Sequence, residues 1–444
     1  MASQVSPGVV IRERDLSTGV LTGVSGLRAG FASSFRSGPV GKITNIGSER
    51  ELIDTFGAPA EANAEDWLVA GEFLRYGGQL AVVRAETGVL NATLDGTAVL
   101  VGSKEDYDSG AGSSEKFIAR TAGADGNNLY VVVVDKGADD TIVTPAAHGL
   151  SVGGTYTDDN TVGHEVVEVV NTTTFRIIRN GAAPVPGAGT TATVFSNSMW
   201  NAQQIGDTGL TYKEIGPRPG TSAFASERYV SYDEMHVAVI DTSTNTVVER
   251  MTYLSKISDA KSPEGSSIYW KDYVNEFSGY IFAGALTTAE VTTLGSDPGA
   301  AVASYGATAA APIELARILK TAGGALSGGT DDYAYTPGEI QAAYTLFQDT
   351  EDTDLDFVLM GGSMDSEADT LVKAGAVAAV ANTRKDCIAF ISPYTGNQVA
   401  YSGGSALTPA QQLENTIDYF SSIGSSSYVV KDSGLKYTYD RFND

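Results

Sequence analysis

The sequence predicts a mixed α/β (α+β) protein of several domains: an α/β parent domain, inserted β-rich domains with a barrel or sandwich fold, and an extended N-terminal arm. Three observations lead to this prediction. Capping motifs and amphipathic stretches alternate with short apolar strands in the first and last parts of the chain. Residues 137–200 are rich in Thr, Val and Gly and contain almost no helix formers. The length of 444 residues corresponds to about three domains of ~150 residues each.

The composition restricts the class of protein. There are 29 Lys and Arg residues against 54 Asp and Glu residues, so the net charge is −25 and neither a nucleic acid nor an anionic membrane is expected as the main partner. The hydrophobic share of 42% indicates a globular chain. Cys387 is the single cysteine, so no internal disulfide forms. The sequence has no uncharged apolar run of ~18 residues and no apolar stretch typical of a secretory signal near its start, so we expect a protein made and kept in a cytoplasm.

The first elements are predicted to be an extended segment, two helices and a strand. Gly8 to Arg14 form the extended segment, which has little apolar surface to bury by itself. Ser48 and Glu51 fit a capping box that starts a short helix. Residues 61–76 have the apolar spacing of a helix, and Leu80 to Arg84 form an apolar strand.

The central part is predicted to be rich in strands. Leu129 to Val134 form an apolar, β-branched run that suits a strand buried on both faces. Residues 137–200 alternate short strands with turns, which favours a small inserted β-barrel or sandwich. Met235–Ile240 and Thr246–Leu254 flank a loop and predict a hairpin, with His236 on its solvent face rather than acting as a base.

The last part returns to an alternation of helices and strands. A helix is predicted after Pro312, and Thr336 starts another through a capping box. The remaining predicted elements are, in order, a βαβ unit of strand Phe357–Met360, helix 365–384 and strand Cys387–Ser392, a helix from Thr408 to about Ser422, and a closing hairpin of Tyr428–Lys431 with Leu435–Tyr439.

These elements define the predicted domain organisation. It comprises an extended N-terminal arm at 1–22, a discontinuous α/β parent domain at 23–136, 201–284 and 326–444, an inserted small β-barrel domain at 137–200 and a second small insertion at 285–325.

The candidates for catalysis each have a more ordinary interpretation. Residues 149–153 match the G-x-S-x-G pattern of a nucleophile elbow with Ser151 as nucleophile and His148 beside it, but the residues that follow predict a β-strand or a turn instead of a helix. Cys387 opens an apolar strand and is predicted to be a core thiol.

Ligand and cofactor motifs are also missing from the sequence. An acidic stretch alternates carboxylates as a calcium loop does, but its spacing lacks the required glycine and final Glu, so a solvated loop is favoured; its members are Asp349, Glu351, Asp352, Asp354 and Asp356. There is no phosphate-binding loop and no H-E-x-x-H motif. We therefore expect no catalytic residues, no bound metal and no cofactor.

Several short motifs resemble, in their order, the tail sheath proteins of contractile-tailed bacteriophages, particularly the T-even-like group. In the first part they are Ser6–Val9, Gly30–Phe31, Gly38–Pro39, Glu51–Leu52, Phe56–Gly57, Phe73–Gly77 and Leu80–Ala85. In the last part they are Leu326–Gly329, the helix after Thr336–Gly338, Arg384–Cys387, Ser392–Pro393 and Tyr437–Asp444. The likeness covers most of the chain outside residues 86–116, 137–200 and 285–325.

The resemblance implies a non-enzymatic virion protein, assembled in the host cytoplasm, that polymerises as stacked hexameric rings. Its implied partners are copies of itself, the tail tube protein, and the baseplate and tail terminator proteins, with no nucleic acid or membrane. Contraction of the sheath would drive the tube through the host envelope. In the family the N-terminal arm adds a strand to a neighbour's sheet, a role that would fall here to Val9, Val10 and Ile11.

Family members continue into a C-terminal tube-binding domain, which we expect to be absent after Asp444. Two alternatives remain open at the level of sequence. One is a virion surface module that binds a glycan or a receptor through the β insertion. The other is a hydrolase that uses Ser151 with His148.

Overall fold

The computed structural model describes residues 26–284, 286–287, 291, 313–351, 353–398, 401–402, 405–434, 436 and 439–442. Within them the strands are β1 (Arg28–Ser33), β2 (Thr44–Ile46), β3 (Gln79–Arg84), β4 (Phe117–Ala119), β5 (Leu129–Asp135), β6 (Asp140–Val143), β7 (Thr155–Thr157), β8 (Gly163–Asn171), β9 (Thr174–Ile178), β10 (Thr191–Val194), β11 (Val230–Ser231), β12 (Glu234–Asp241), β13 (Thr246–Ser255), β14 (Ile281–Ala283), β15 (Ile313–Glu314), β16 (Gly324–Ala325), β17 (Phe357–Leu359), β18 (Ile388–Ile391), β19 (Tyr401–Ser402), β20 (Ser405–Ala406) and β21 (Val429–Lys431).

The helices of the same residues are α1 (Glu49–Phe56), α2 (Ala64–Arg75), α3 (Lys104–Asp108), α4 (Asn197–Asn201), α5 (Ala223–Ser226), α6 (Trp270–Phe277), α7 (Pro337–Thr345), α8 (Glu367–Arg384) and α9 (Pro409–Ser421). Helices and several separate sheets occur together, so the predicted mixed α/β fold is confirmed. The predicted arm at 1–22 and most of the predicted insertion at 285–325 lie outside the described residues.

Six strands from the two ends of the described chain form one sheet, in the order β2-β3-β1-β17-β18-β21. All neighbouring pairs are parallel except β2 with β3. Helices α7 and α8 pack on one face of the sheet, and α1 and α2 pack on the other. This coverage explains why β1 and β3 are apolar along nearly their whole length, since a parallel sheet between two helical layers has no solvent face.

Two helices of this unit begin at the predicted capping motifs. Ser48 Oγ accepts the Glu51 amide at 3.2 Å at the start of α1, while Glu51 reaches back to the Gly47 amide at 2.8 Å. At α7, Thr336 and Glu339 form a reciprocal capping box. These bonds satisfy amides that the first helical turn leaves without partners.

The predicted βαβ unit is confirmed, whereas the closing hairpin stays a prediction. Strands β17 and β18 are parallel and α8 connects them. Strand β21 pairs in parallel with β18 and forms an edge of the sheet. The reason is that α9 carries the chain back to the same end of the sheet, which makes the next strand parallel. Residues 435, 437 and 438 of the predicted second hairpin strand lie outside the described residues.

A buried ion pair joins the two helical layers at the end of this sheet. Lys373 of α8 lies with its Nζ 3.3 Å from both carboxylate oxygens of Asp66, which belongs to α2 on the other face. Ser33 Oγ and Tyr335 OH donate to the same carboxylate at 2.5 and 2.8 Å. The Gly362 amide donates to its other oxygen at 2.5 Å. One carboxylate thus bonds to the last residue of β1, to the segments before α7 and after β17, and to α8.

A second sheet has the order β13-β12-β5-β16 and is antiparallel. Its strand β5 is buried on both faces, as predicted. Val131 and Val133 pack in a core with Trp270, while Val132 and Val134 pack on the opposite side with Trp200. The predicted hairpin of β12 and β13 is also confirmed.

The helix predicted after Pro312 is wrong. Ile313 begins strand β15, which pairs in parallel with β11, and Leu315 packs beside Val230. Ile318 instead enters the core of the second sheet. The apolar spacing fitted a helix, but the chain is extended here because its side chains bury in two different cores.

Strands β6 to β10 all fall within the stretch predicted as a β-rich insertion. They form an antiparallel sheet in the order β10-β6-β9-β8-β7. Its small core consists of Ile142, Val166, Phe175 and Ile177. The chain therefore builds a separate hydrophobic cluster between β5 and β12.

A buried pair lies at the end of β3, where the Nε atom of Arg84 and the Oε1 atom of Glu86 are 2.5 Å apart. Both side chains are 0% exposed. Arg84 also donates to the carbonyls of Gly38 and Ala122, and Glu86 accepts the Phe35 amide. Burial raises the pKa of Glu86 to about 7, more than Arg84 lowers it.

Replacing Lys373 by Ala should lower the free energy of unfolding by about 3–5 kcal/mol, because it leaves the Asp66 carboxylate buried without its counter-charge. The matched control is Arg50→Ala, which breaks a pair whose side chains are 90% and 65% exposed and should change stability by less than about 0.5 kcal/mol. Urea unfolding followed by circular dichroism measures both. Equal losses in the two variants would contradict the structural role of the ion pair.

Glu86→Gln should flatten part of the pH dependence of stability. Because the pKa of Glu86 is raised from 4.5 to about 7 in the folded chain, its contribution is fully present below pH 4.5 and is lost as the pH rises through 7. We expect the difference between wild type and variant to change by up to about 3 kcal/mol across that window. The free energy of unfolding of each protein is measured by urea unfolding at a series of pH values. A difference between the two proteins that stays constant from about pH 4.5 to about pH 7.5 would refute this assignment.

Candidate functional site

The residues predicted to form the inter-subunit strand, Val9, Val10 and Ile11, lie outside the described residues. Their role therefore stays a prediction. The described residues instead show what the candidate catalytic side chains do and which surfaces are open to other molecules.

Ser151 does not lie on a nucleophile elbow. It belongs to the connection between β6 and β7, so neither a strand leads directly into it nor a helix out of it. His148 is also engaged by the backbone: its Nε2 lies 2.8 Å from the Asn171 carbonyl oxygen, and its Nδ1 accepts the Leu150 amide at 2.9 Å. The interpretation as a turn in a β module fits this arrangement, because no ring nitrogen is left to take a proton from the serine.

His236 is buried, so its predicted position on a solvent face is wrong. Its Nδ1 accepts the Tyr253 amide at 3.0 Å, which leaves Nε2 to donate to the Pro217 carbonyl at 2.7 Å. Burial lowers its pKa, which favours the neutral ring. The prediction from the sequence failed because β12 lies between β13 and β5 in a sheet that is covered on both faces.

Cys387 is a buried core thiol, as predicted, and burial raises its pKa to about 11. In the acidic stretch, the Asp349 carboxylate accepts the Glu351 amide and the Asp356 carboxylate accepts the Arg28 amide, both at 2.8 Å. Asp352 lies outside the described residues. Over the part of the chain that the structure describes, no three His, Cys, Asp or Glu side chains are grouped so that they could hold a metal ion.

A cleft of about 380 Å³ opens at the end of the six-stranded sheet, beside the Asp66 carboxylate. Strands β1 and β17 end there, where the chain order of the parallel sheet changes direction, a common place for ligands in such folds. In this cleft the Asp66 carboxylate already has four partners within the chain, which are Ser33, Tyr335, Gly362 and Lys373. Burial and the neighbouring Asp66 raise the pKa of Tyr335, which keeps this hydrogen-bond donor protonated. The arrangement is that of a structural network.

The open surfaces of the same unit carry apolar side chains. Leu413 and Ile417 of α9 are 63% and 57% exposed, and Tyr76 at the end of α2 is 84% exposed. Strand β21 forms one edge of the sheet, and Val430 on it is exposed. In the described residues no helix combines the length and apolar character needed to cross a membrane. Leu413 and Ile417, one helical turn apart, form a candidate surface for contact with another protein, whereas apolar side chains exposed singly are common on protein surfaces.

Comparison with known proteins identifies the class to which these features correspond. No family model matches the chain. The tail sheath protein of Salmonella phage ViI is 24% identical over 491 residues, which cover 100% of this chain and 68% of that protein. The tail sheath protein of Vibrio phage KVP40 is 23% identical, with 99% and 71% covered, and that of Enterobacteria phage T4 is 23% identical, with 99% and 70% covered.

Two solved structures are similar at a coarser level. The sheath tail protein Lin1278 from Listeria innocua has a TM-score of 0.36 and 12% identity, with 88% of this chain and 56% of that chain covered. The sheath tail protein from Desulfitobacterium hafniense has a TM-score of 0.35 and 11% identity, with 93% and 61% covered. The chain thus spans less than two thirds of either one, and similarity at this level carries no functional argument.

The relatives are structural proteins of phage virions. The resemblance to phage tail sheath proteins found in the sequence is confirmed: along almost its whole length, the chain is similar to the tail sheath proteins of T4 and related phages.

Proposed function

We propose that the chain is the structural subunit of a phage contractile tail sheath. It polymerises as stacked hexameric rings around the tail tube and contracts to drive the tube through the host envelope during genome delivery. The observation that carries this proposal is the 24% identity to a tail sheath protein across 100% of the chain. The partners are other copies of the chain, the tail tube protein, and the baseplate and tail terminator proteins, and assembly takes place in the host cytoplasm.

The proposed mechanism is mechanical and includes no catalytic step, metal or cofactor. The contacts of His148 and His236 support it, because backbone groups engage both ring nitrogens of each histidine, and Cys387 is buried. The energy for contraction is then stored in the extended lattice of subunits.

The arm at 1–22 is proposed to link neighbouring subunits. Val9, Val10 and Ile11 add as a strand to the sheet of another copy, so that backbone hydrogen bonds supply the affinity. The discontinuous parent domain carries the lattice, and the insertions at 137–200 and 285–325 face outward. The separate core of strands β6 to β10 supports an inserted domain at 137–200.

Electron microscopy of the assembled protein tests the proposal. The complete reading frame that contains these 444 residues is expressed with the tail tube protein of the same phage, and the particles are examined by negative stain over a range of concentrations. We expect striated cylinders around the tube, with six-fold symmetry in end views. Particles that stay dispersed at every concentration while the β insertion binds a glycan would contradict the proposal and favour a surface module.

Substitution of Val10 by Asp should prevent cylinder formation, because a charge in the added strand cannot be buried against the neighbour's sheet. The folded subunit should keep the melting temperature of the wild type. Ser17→Asp, outside the proposed strand but within the arm, is the matched control and should assemble normally. Normal cylinders from both variants would show that these three residues are not the inter-subunit strand.

A further inference from the structure

Helix α9 presents an apolar stripe on the surface. Its members Ala410, Leu413 and Ile417 are spaced three and four residues apart along the helix, whereas Phe420 packs against the core of the six-stranded sheet. Leu413 and Ile417 are more than half exposed, while Tyr419 is buried and its hydroxyl donates to the Thr370 carbonyl of α8. A surface helix of a monomeric protein normally turns such a stripe toward its own core. The α9 stripe therefore fits a second protein surface.

The charged residues within α9 have one sign. Glu414 and Asp418 are the only charged residues of α9, and both are acidic. Lys431 lies near the end of the helix, but its ammonium group donates to the carbonyls of Phe420 and Ile423 at 2.7 and 2.6 Å. Two copies of α9 placed against each other would bring like charges together, so the stripe does not fit a symmetric contact with itself.

A surface of opposite character lies at the end of α2. It consists of Leu27, Arg28, Arg75, Tyr76 and Lys436, and we call it the α2 patch. Leu27 and Tyr76 are 54% and 84% exposed, and Arg75 and Lys436 both bond to Glu72, at 2.7 and 2.8 Å. Arg28 is held next to them by Gln79, which bonds to both Arg28 and Leu27. The patch thus combines three cations with two exposed apolar side chains, next to the carboxylates of Glu72 and Asp356, on a chain whose net charge is −25.

Helices α2 and α9 lie on opposite faces of the same sheet. Helix α2 leads into β3, next to the β2 edge, and α9 leads into β21 at the other edge. Four strand spacings, roughly 19 Å, separate β3 from β21. Complementary surfaces on opposite sides of one molecule join copies head to tail, and such contacts generate rings or filaments.

We propose that the α9 stripe of one copy binds the α2 patch of the next copy. Leu413 and Ile417 pack against Leu27 and Tyr76, and the acidic flanks of α9 face the cations of the patch. This inference rests on the proposed function, since it names the surfaces through which neighbouring subunits meet. An exposed tyrosine beside arginine is a composition common at the centre of protein interfaces.

Charge reversal with rescue tests the contact. One variant carries E414K and D418K, and the other carries R75E and K436E; each should need at least a tenfold higher concentration than wild type to form cylinders, with an unchanged melting temperature. The four substitutions combined in one chain should restore assembly. An equimolar mixture of the two variants should also assemble, because each mutated surface then finds a complementary one on the other variant.

Cysteine cross-linking gives a second readout that does not depend on charge. Cys387 is buried, so cysteines introduced as Leu413→Cys and Tyr76→Cys are the reactive ones. Mild oxidation of assembled mixtures should produce a disulfide between the two variants and none within either variant alone. A cross-link within Leu413→Cys alone would overturn the head-to-tail contact.

The outcomes separate this inference from the proposed function. Assembly of wild type and both charge-reversed variants at the same concentration would overturn the contact and leave the sheath proposal standing. Failure of both reversed variants without rescue in the combined chain or the mixture would also overturn it. Failure of wild type to form cylinders with the tube protein would count against the sheath proposal itself.

Discussion

The ion pair between Asp66 and Lys373 connects layers that would otherwise touch only through the sheet between them. Asp66 belongs to α2 on one face and Lys373 to α8 on the other, and 307 positions separate them in the sequence. Isolated burial of either charge would be strongly unfavourable, so each group requires the other in place. Ser33, Tyr335 and Gly362 complete the bonding of the carboxylate. The two ends of the described chain are thus fixed to each other before any inserted segment is considered.

This arrangement suits a subunit that transmits force. The parallel sheet is covered on both faces, and the buried Arg84 at the end of β3 donates to the Ala122 carbonyl in the connection between β4 and β5. Strand β5 in turn has a core on each side. The surfaces proposed for contacts between copies lie on the side chains of α2 and α9 that face away from these cores.

The sequence predicted local structure well where one short segment contained the whole signal. The start of α7 at Thr336 follows from a capping box, and the burial of β5 on both faces follows from its run of valines. It failed where burial depends on distant segments. His236 is buried because strands on both sides and cores on both faces enclose β12, and Ile313 lies in a strand because its side chain and that of Ile318 enter different cores. The partnership of Asp66 with Lys373 has no local signature at all. The α9 stripe, by contrast, is visible in the sequence as apolar spacing, but only the fold shows that it faces outward.

The central claim is that this chain forms the outer cylinder of a phage tail. Immunogold electron microscopy of virions, with antibodies raised against residues 137–200, tests it most directly. The account predicts gold along the full length of the extended tail, and along a shorter and wider cylinder after contraction. Gold confined to the head, the tail fibres or the tail tip would contradict it.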